Sequence, residues 1–444
     1  MWKLVIPALA VALTGCGGGG GGGGISSSGA SNIADAVVTT SLTVAGYVEN
    51  CGCNPTLAAG EFSGAGIKYV VVSGWRAGNH LMPVKIYRLN TDGTTQDATS
   101  DILGDEVQFS VNYPVVADFN KDGIDDIFLP GFKDAPYVEF NPSAVFLSRS
   151  GQAHQRVDVP GMSWSHASMA LDLNNDGWLD VINSTGSMWI NNQAGNFSYM
   201  EHYNWVNGRV NDSIAGSAIC AGDLDNSGTT QLVVTDISGH IQDTWVFKFD
   251  ADLKPIKTAV LPMPYYDRFT TIEVSHDVGC VVTDLNNDSL LDVVVTSTTG
   301  YTSIVQIYIN QGNYQFKELT DTAMLGYNKN SIGSYRPTVV DFNQDGWPDI
   351  FMEGSLETEN SNQLWLNNGD GTFTQKGKTQ FEMLRNDSLK LVAGSTKSGP
   401  MLPIRVGDRW NFVTTAVLDD KFYINYARTQ WSFRLWNFQS RSYQ

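Results

Sequence analysis

The chain has 444 residues and a formal net charge of −18 at pH 7, and it is 42% hydrophobic and 11% aromatic. This composition excludes an intrinsically disordered chain, and the length exceeds that of one ordinary domain unless the chain is built of repeats. The negative charge argues against nucleic acid or an anionic membrane surface as a partner.

Residues 1–15 have the pattern of a signal peptide. One lysine precedes an apolar run that is shorter than the roughly 20 residues needed to span a bilayer. The sequence LTGC that ends at Cys16 resembles the lipobox of bacterial lipoproteins, in which the cysteine is lipidated and becomes the first residue. The alternative is ordinary secretion with cleavage nearby. Because Gly17 follows instead of the aspartate that marks inner-membrane retention in many Gram-negative lipoproteins, the resemblance implies the outer membrane and the cell surface.

Residues 16–36 have the composition of a flexible tether. After Cys16 come eight consecutive glycines at 17–24 and then ISSSGASN, which is typical of linkers without structure. Some 15 such residues span about 20 Å root-mean-square. We therefore expect the folded part, residues 37–444, to stand off the lipid and to swivel.

An acidic nine-residue loop occurs five times, at intervals of 51 to 61 residues. The copies, called acidic loops 1 to 5, begin at Asp118 (DFNKDGIDD), Asp172 (DLNNDGWLD), Asp223 (DLDNSGTTQ), Asp284 (DLNNDSLLD) and Asp341 (DFNQDGWPD). The loops lie between short apolar runs such as YPVVA and DIFLPG, which are strand signals. We therefore expect each loop to join two strands of a hairpin.

The side chains of the loops predict calcium binding. Oxygen-bearing residues stand at positions 1, 3, 5 and 9, and a glycine at position 6 permits the positive φ of a tight turn. The carbonyl of position 7 and the carboxylate of position 9 can complete the cage. Calcium takes six to eight oxygen ligands at about 2.3–2.6 Å, whereas magnesium, the weaker candidate, demands a smaller octahedral site. The candidate ligands are Asp118, Asn120, Asp122, Ile124 and Asp126; Asp172, Asn174, Asp176, Trp178 and Asp180; Asp223 and Asp225; Asp284, Asn286, Asp288, Leu290 and Asp292; and Asp341, Asn343, Asp345, Trp347 and Asp349.

Two loops depart from the pattern. Loop 4 has Ser289 where glycine is expected but keeps its four side-chain ligands. Loop 3 has Ser227 at position 5 and Gln231 at position 9, so it has lost two carboxylates. We expect about four calcium sites and leave a fifth site at loop 3 undecided. The loops are not EF-hands, because position 12 is apolar and the flanks are strands.

A second element follows the loops at regular spacing. It reads MWINNQAGNF at 188–197, IYINQGNYQF at 307–316 and LWLNNGDGTF at 364–373, a strand, an Asn/Gly turn and a returning strand. Four antiparallel strands in a period of about 55 residues make a propeller blade. Degenerate copies near Glu61 and Ser395 raise the count of repeats to seven. We predict an all-β fold, a seven-bladed β-propeller of four-stranded antiparallel blades.

The paired elements D-x-[DN]-x-D-G-x-x-D and [LM]-W-[IL]-N-N…F resemble FG-GAP/VCBS repeats, the blades of the integrin α-subunit propeller and of many bacterial surface proteins. The resemblance covers most of residues 50–430. It implies calcium at the matching loop positions on one face of the propeller. It does not imply a ligand, because one fold serves many functions.

Four cysteines follow Cys16, namely Cys51, Cys53, Cys220 and Cys280. An exported protein permits disulfides. Cys220 and Cys280 precede loops 3 and 4 by three and four residues, so we expect them on equivalent strands of neighbouring repeats. Free thiols and all three pairings stay open, and the scattered histidines give no zinc pattern.

Two functional classes fit a tethered calcium propeller. One is a non-enzymatic binding or adhesion module for an extracellular glycan or protein ligand, and the other is a polysaccharide-active lyase or hydrolase. The sequence contains no nucleophile elbow, phosphate loop or HExxH motif. His166 and His276, which precede loops 2 and 4, are expected to pack or hydrogen-bond in inner strands. We predict the binding module, with the enzyme as the alternative.

Four tryptophans bear on ligand binding. Trp189 and Trp365 lie in the recurring hairpins and are expected to pack between blades. Trp178 and Trp347 stand at position 7 of loops 2 and 5. Because flat apolar rings suit a sugar face or a protein pocket, these two are candidates for a binding surface.

Overall fold

The computed structural model describes residues 38–43, 53–76, 80–81, 83–91, 94–105, 108, 113–131, 142–162, 167–201, 218–235, 244–261, 276–298, 303–324, 334–354, 363–375, 397–406, 409–418 and 421–428. Within these residues, 29 strands form seven antiparallel sheets, accompanied by two short helices. Over the same ranges, no helix combines the length and the apolar character of a membrane span.

Six sheets are blades that are each built from one continuous segment. Blade 1 contains β2 (Cys53–Gly60), β3 (Lys68–Arg76), β4 (His80–Leu81), β5 (Lys85–Leu89) and β6 (Thr95–Asp97). Blade 2 contains β7 (Val115–Ala117), β8 (Asp126–Leu129), β9 (Ser143–Arg149) and β10 (Gln152–Val159), and blade 3 contains β11 (Ser168–Leu171), β12 (Asp180–Asn183), β13 (Met188–Asn191) and β14 (Phe197–Met200). Blade 4 contains β15 (Ala218–Gly222), β16 (Gln231–Thr235), β17 (Trp245–Phe249) and β18 (Pro255–Val260). Blade 5 contains β19 (His276–Thr283), β20 (Asp292–Thr298), β21 (Ser303–Asn310) and β22 (Phe316–Glu318), and blade 6 contains β23 (Ser334–Val340), β24 (Asp349–Gly354), β25 (Gln363–Asn367) and β26 (Phe373–Gln375).

The remaining sheet joins the two ends of the described chain. It pairs β1 (Val38–Thr43) with β29 (Lys421–Arg428), which continues into β28 (Arg409–Leu418) and β27 (Lys397–Val406). β27 lies against β2 of blade 1 and β24 of blade 6, so this composite sheet stands between those blades.

The prediction of seven blades is therefore wrong, since the structure shows six blades of the predicted kind. The supposed seventh repeat near Ser395 does not place a loop between strands as the others do, because β27 begins two residues later and connects to β28 only through residues 407–408. This segment supplies three strands, and the composite sheet takes its fourth from β1, far away in the sequence. The all-β propeller architecture with antiparallel blades is confirmed, although blade 1 also carries the extra short strand β4.

The second strands of the blades are buried on both faces. β8, β12 and β16 have no exposed side chain, because the sheets stack face to face and each packs apolar residues against both neighbours. The core consists of clusters between successive blades, such as the one that joins Phe128 and Val145 of blade 2 to Val181 and Trp189 of blade 3.

The two helices follow the fourth strands of blades 1 and 5. They are α1 (Thr99–Leu103) and α2 (Thr320–Ala323). Thr99 Oγ1 accepts the Ile86 N–H at 3.0 Å, and Thr320 Oγ1 accepts the Ile307 N–H at 2.9 Å. The helices are therefore equivalent parts of two blades.

Candidate metal centres on the acidic loops

The acidic loops share one backbone conformation. Each loop leaves the first strand of its blade and enters the second, as predicted. Position 6 has positive φ in every loop, including loop 4, where Ser289 has a φ of 70°. Position 4 also has positive φ, a role that the sequence analysis missed, although the asparagines found there in three loops tolerate this conformation well. The residues at position 4 are Lys121, Asn175, Asn226, Asn287 and Gln344, with φ of 61°, 57°, 55°, 56° and 61°.

The aspartate at position 1 closes each loop on itself. In loop 1 the backbone N–H groups of Asp122 and Gly123 donate to the Asp118 carboxylate at 3.1 and 2.9 Å. The same pair of bonds, from positions 5 and 6 to position 1, recurs in the other four loops. Position 1 therefore holds the turn through its own hydrogen bonds.

Positions 3 and 5 face each other in loops 1, 2, 4 and 5. In loop 5, Asn343 Nδ2 donates to Asp345 Oδ2 at 2.7 Å, and Asn343 Oδ1 accepts the Asp345 N–H at 3.1 Å. The amide-to-carboxylate bond recurs in the other three loops. In loop 1 the Ser148 hydroxyl also donates to Asp122 Oδ2 at 2.6 Å. The structure thus brings the predicted ligands at positions 1, 3 and 5 together at the end of the turn.

The aspartate at position 9 is buried and ties the loop to the third strand. In loop 2, Asp180 Oδ2 accepts the Leu173 N–H at 2.9 Å, and Asp180 Oδ1 accepts the Asn191 N–H at 2.8 Å. Loops 1, 4 and 5 repeat both bonds. These carboxylates, which are 0% exposed, serve as internal braces and still keep lone pairs for a cation. They are Asp126, Asp180, Asp292 and Asp349.

These buried carboxylates titrate far above the ordinary range of aspartate. Burial raises the pKa of Asp180, Asp292 and Asp349 to about 7 and that of Asp126 to about 6, and the negative charge of other loop aspartates raises it further, against hydrogen bonds that lower it. A bound cation would offset both effects, because an opposite charge close by favours the ionised form of a carboxyl.

An asparagine on the third strand joins neighbouring blades. Asn367 Nδ2 donates to the carbonyl of Leu285, at position 2 of the preceding loop, at 2.8 Å and to that of Pro348 in its own loop at 3.1 Å. Asn310 and Asn191 make the same two bonds in blades 5 and 3. The sequence signal for this brace is the asparagine that recurs in the hairpin sequences. In the sequence it was interpreted only as part of a turn.

In loop 3, side chains of the protein donate hydrogen bonds to the Asp225 carboxylate. Gln231 Nε2 donates to Asp225 Oδ1 at 3.1 Å, and Gln231 Oε1 accepts the Leu224 N–H at 2.6 Å, as the position 9 carboxylate does elsewhere. The Tyr314 hydroxyl of blade 5 donates to Asp225 Oδ2 at 2.6 Å. Although burial opposes it, hydrogen bonds from Tyr314 and Ser227 lower the pKa of Asp225. The loop is thus held together without a cation.

Successive loops touch through position 4. Asn226 of loop 3 donates from Nδ2 to the Ser289 carbonyl of loop 4 at 3.1 Å. Asn287 of loop 4 makes the same contact to the Gly346 carbonyl of loop 5 at 3.2 Å. Loops 3, 4 and 5 therefore form one connected surface.

The tryptophans at position 7 contact the protein itself. The Lys121 ammonium lies 4.0 Å from the centre of the Trp178 ring, a cation–π contact between loops 1 and 2. Trp347 packs on Gly369 so closely that a Cβ built there would lie 2.8 Å from the indole. Both are half-buried. Trp189 and Trp365 are 0% exposed in clusters that join adjacent blades, as predicted.

The degenerate loop of blade 1 keeps the shape without the aspartates. Gly64 and Gly66 have φ of 67° and 71°, matching positions 4 and 6. The Gly66 N–H donates to the Glu61 carboxylate, which takes the role of position 1. This segment also binds loop 1, since the Glu61 N–H donates to Asp125 Oδ2 at 2.7 Å.

A disulfide links blades 4 and 5. Cys220 on β15 and Cys280 on β19 are bonded, with their Cα atoms 5.6 Å apart. The structure thus selects this pairing from the alternatives that the sequence left open. Cys16, Cys51 and His166 lie outside the described residues, and so do the side chains of Cys53 and His276.

The donor chemistry of loops 1, 2, 4 and 5 fits calcium. Carboxylate, amide and carbonyl oxygens are the ligands of hard cations. The pKa of the position 9 carboxyls is raised first by burial and then by the charges of the other loop aspartates, and a cation would offset both effects. Over the described ranges, no three Asp, Glu, His or Cys side chains converge as a closed metal cluster. Each loop instead gathers two aspartates and an asparagine at its end, while the position 9 carboxylate bonds to the backbone. Calcium binding therefore stays a prediction.

The loops are expected to differ when single ligands are truncated. Asp122→Ala and Asp345→Ala each remove a charged ligand from a complete set, so each variant should bind one calcium ion fewer than the wild type. Ser227→Ala should change nothing, because loop 3 is already held by Gln231 and Tyr314. Calcium stoichiometry measured by equilibrium dialysis checks this, and equal losses in all three variants would contradict the assignment of loop 3.

Comparison with protein families supports the class of fold. Residues 284–352, which run from acidic loop 4 through loop 5, match the model of the FG-GAP-like repeat. The predicted resemblance is confirmed for this stretch, and the fold of the chain is a β-propeller. No curated protein matches the sequence.

Several solved structures are similar at low identity. A lectin from Agrocybe aegerita, described as recognising non-reducing terminal N-acetylglucosamine, is 19% identical, with 75% of this chain and 82% of that chain covered and a TM-score of 0.49. Trypanosoma rangeli sialidase is 12% identical, with 90% and 60% covered and a TM-score of 0.38. A GH43 β-xylosidase/α-arabinofuranosidase from a compost microbial metagenome is 14% identical, with 76% and 98% covered and a TM-score of 0.32. At these values the similarities carry no argument about function.

Proposed function

We propose that this protein is a calcium-stabilised propeller, anchored by lipid at the outer surface of a bacterium, that binds extracellular glycan or protein ligands without catalysis. The observation that carries the proposal is that the loop carboxylates already accept hydrogen bonds from backbone N–H groups. Position 1 closes each turn, and position 9 joins the loop to the third strand. These are structural roles, so the chemistry that recurs in the loops serves to hold a rigid surface for display.

The contacts between loops support a binding surface. Loops 3, 4 and 5 bond to one another through Asn226 and Asn287. A surface that is ordered before it meets its ligand loses little conformational entropy on binding. The connected loops therefore suit recognition of an extended ligand.

The Cys220–Cys280 disulfide supports export. Disulfides persist in oxidising compartments such as the bacterial periplasm and the cell surface, and they are rare in the cytosol. A bonded pair between adjacent blades agrees with a protein that folds after crossing the inner membrane.

The anchor is tested at Cys16. Cys16→Ser should leave the propeller folded but should move the protein from the membrane fraction to the soluble or secreted fraction, because the thiol that would carry the lipid is gone. Fractionation with immunoblotting measures this. A variant that still sediments with membranes after a salt and carbonate wash would contradict lipidation.

The binding function is tested with a glycan array probed by calcium-loaded protein, with mass spectrometry of the bound glycans after incubation. We expect selective binding that a chelator reduces, with the glycans recovered intact. Cleaved glycans would instead establish the alternative, a polysaccharide-active enzyme. Absence of binding to every glycan and to extracellular proteins on a parallel array would overturn the proposal.

A further inference from the structure

A cavity of about 470 Å³ lies between blade 1 and blade 2 and opens to solvent on the side of Arg156 and Asp158. Its volume falls within the range of about 300–1,000 Å³ that is usual for small-molecule sites. The residues that line it from blade 1 lie at the end of α1 or follow it, and those from blade 2 lie on β9 and β10. They include Leu103, Asp105 and Gln108 from blade 1, and Phe146, Arg156 and Asp158 from blade 2.

The ring that lines the cavity from the third strand of blade 2 is smaller than its counterparts in blades 3 and 6. Phe146 and Trp365 occupy the same position on the third strand, because in each case the residue two further on donates its N–H to the position 9 carboxylate. Between blades 5 and 6, Trp365 packs in one cluster with Met324, which directly follows α2. Blade 2 has the smaller phenylalanine, and blade 3 again has a tryptophan, Trp189.

A buried amide in this cavity lacks a hydrogen-bond partner. Gln108 is 7% exposed, and its backbone carbonyl accepts the Val84 N–H at 2.8 Å. Its Oε1 accepts a hydrogen bond from Arg156 Nη1 at 3.1 Å, whereas its Nε2 has no partner. Leaving a buried donor unsatisfied costs about 1–3 kcal/mol. Because Nε2 is itself buried, a ligand oxygen in the cavity would remove this cost once the amide turns toward it.

The charges around the cavity favour a neutral ligand. Arg156 already pairs with Asp158, at 2.9 Å from Nη2 to Oδ1. Asp105 adds a further negative charge, so the three ionised groups sum to −1 and disfavour an anion. The amide and the guanidinium donate hydrogen bonds, and the carboxylates accept them. A group with several hydroxyls, each able to donate and to accept, matches this set.

We propose that the cavity between blades 1 and 2 binds one neutral sugar residue of a glycan, with the Gln108 amide and the Arg156–Asp158 pair bonding its hydroxyls. This inference rests on the proposed glycan-binding function and assigns it a site. From blade 2 the site takes residues of the third and fourth strands and none of the acidic loop that joins the first two strands. No predicted calcium ligand lines the site.

The test uses the full chain and a panel of neutral and uronic-acid mono- and disaccharides, first on an array and then by titration calorimetry. Gln108→Leu removes the donor at nearly constant size, and Phe146→Trp introduces the ring that blades 3 and 6 carry at this position. Gln306→Leu is the matched control, because Gln306 is 2% exposed with an unpartnered Nε2 but lies on β21 of blade 5. Melting curves verify that each variant is folded.

We expect the wild type and Gln306→Leu to bind the same neutral sugars, and Gln108→Leu and Phe146→Trp to bind them at least tenfold more weakly. Glycan binding that is unchanged in both cavity variants would overturn this site while leaving the proposed glycan-binding function intact. Preference for the uronic acids would equally overturn the inference, since it contradicts the charge argument. A wild type that binds no sugar at all fails both the site and the glycan part of the proposed function.

Discussion

Removing calcium is expected to lower the melting temperature of the soluble Cys16→Ser form by roughly 10 °C. A ligand bound only by the native state stabilises it by about 2.7 kcal/mol per site at a hundredfold excess over Kd, so four sites supply about 10 kcal/mol. For a chain of this length, each kcal/mol shifts the melting temperature by about 1 °C. Melting in chelator and at a series of calcium concentrations up to the millimolar range measures the effect.

Magnesium at the same concentration is the control. It demands a smaller octahedral site and gives up its water reluctantly, so it should restore little of the lost stability. Melting curves that overlay in chelator and in calcium would show that the acidic loops are ordinary polar turns, held only by the bonds to positions 1 and 9.

The stabilisation by calcium should depend on pH, and the raised pKa of the position 9 carboxyls determines the direction of this dependence. Burial raises the pKa of Asp180, Asp292 and Asp349 from 3.8 to about 7. Between these values the folded protein binds more protons than the unfolded chain, so the calcium-free protein should lose stability as the pH rises through this window. Calcium competes with these protons, and its stabilising effect should therefore be larger at pH 8 than at pH 5. Equal effects at both pH values would exclude the position 9 carboxylates as ligands.

Removing the disulfide is expected to have the second largest effect. Cys220 and Cys280 are separated by 60 residues, and cross-linking a loop of that length lowers the entropy of the unfolded chain by an amount worth about 4 kcal/mol. The double variant Cys220→Ala/Cys280→Ala should lose about this much free energy of unfolding, measured by denaturant titration under oxidising conditions.

A reductant separates the loss of the bond from the loss of the side chains. It should destabilise the wild type but leave the double variant unchanged, because the variant has no disulfide between blades 4 and 5 to break. If the reductant destabilises both proteins equally, the stabilising bond lies elsewhere, for example at Cys51 and Cys53.

The sequence predicts the parts of the fold that are set by local chemistry. The aspartate at position 1 and a residue of positive φ at position 6 set the turn, and apolar runs such as DIFL and DVIN set the buried second strands. The number of blades could not be predicted in this way. The composite sheet depends on the pairing of β1 with β29, and these strands lie too far apart in the sequence for a connecting turn to signal that they pair. A count of loop-like segments therefore placed a seventh repeat where the structure has the start of β27.

In the candidate site, too, contacts within one turn could be predicted from the sequence and contacts between blades could not. Ligand positions 1, 3 and 5 converge as the spacing predicts, since they belong to one turn. The asparagine brace and the amide of Gln108 depend on contacts between blades, so no window of sequence contains both partners. Loop 3 is intermediate, because the loss of carboxylates at Ser227 and Gln231 is visible in the sequence but the donor from Tyr314 is not.

The composite sheet has a consequence for the order in which the chain can fold. β1 is synthesised first, yet its partner β29 ends at Arg428. At about 5–20 residues per second, roughly 20–80 s of synthesis separate the two strands. Until β29 is also available, β1 lacks its partner, and an unpaired strand is a template for wrong pairing with another chain. The strand reads VTTSLT, with threonine and serine at four of its six positions, so the edge that waits longest for its partner carries mainly hydroxyl side chains.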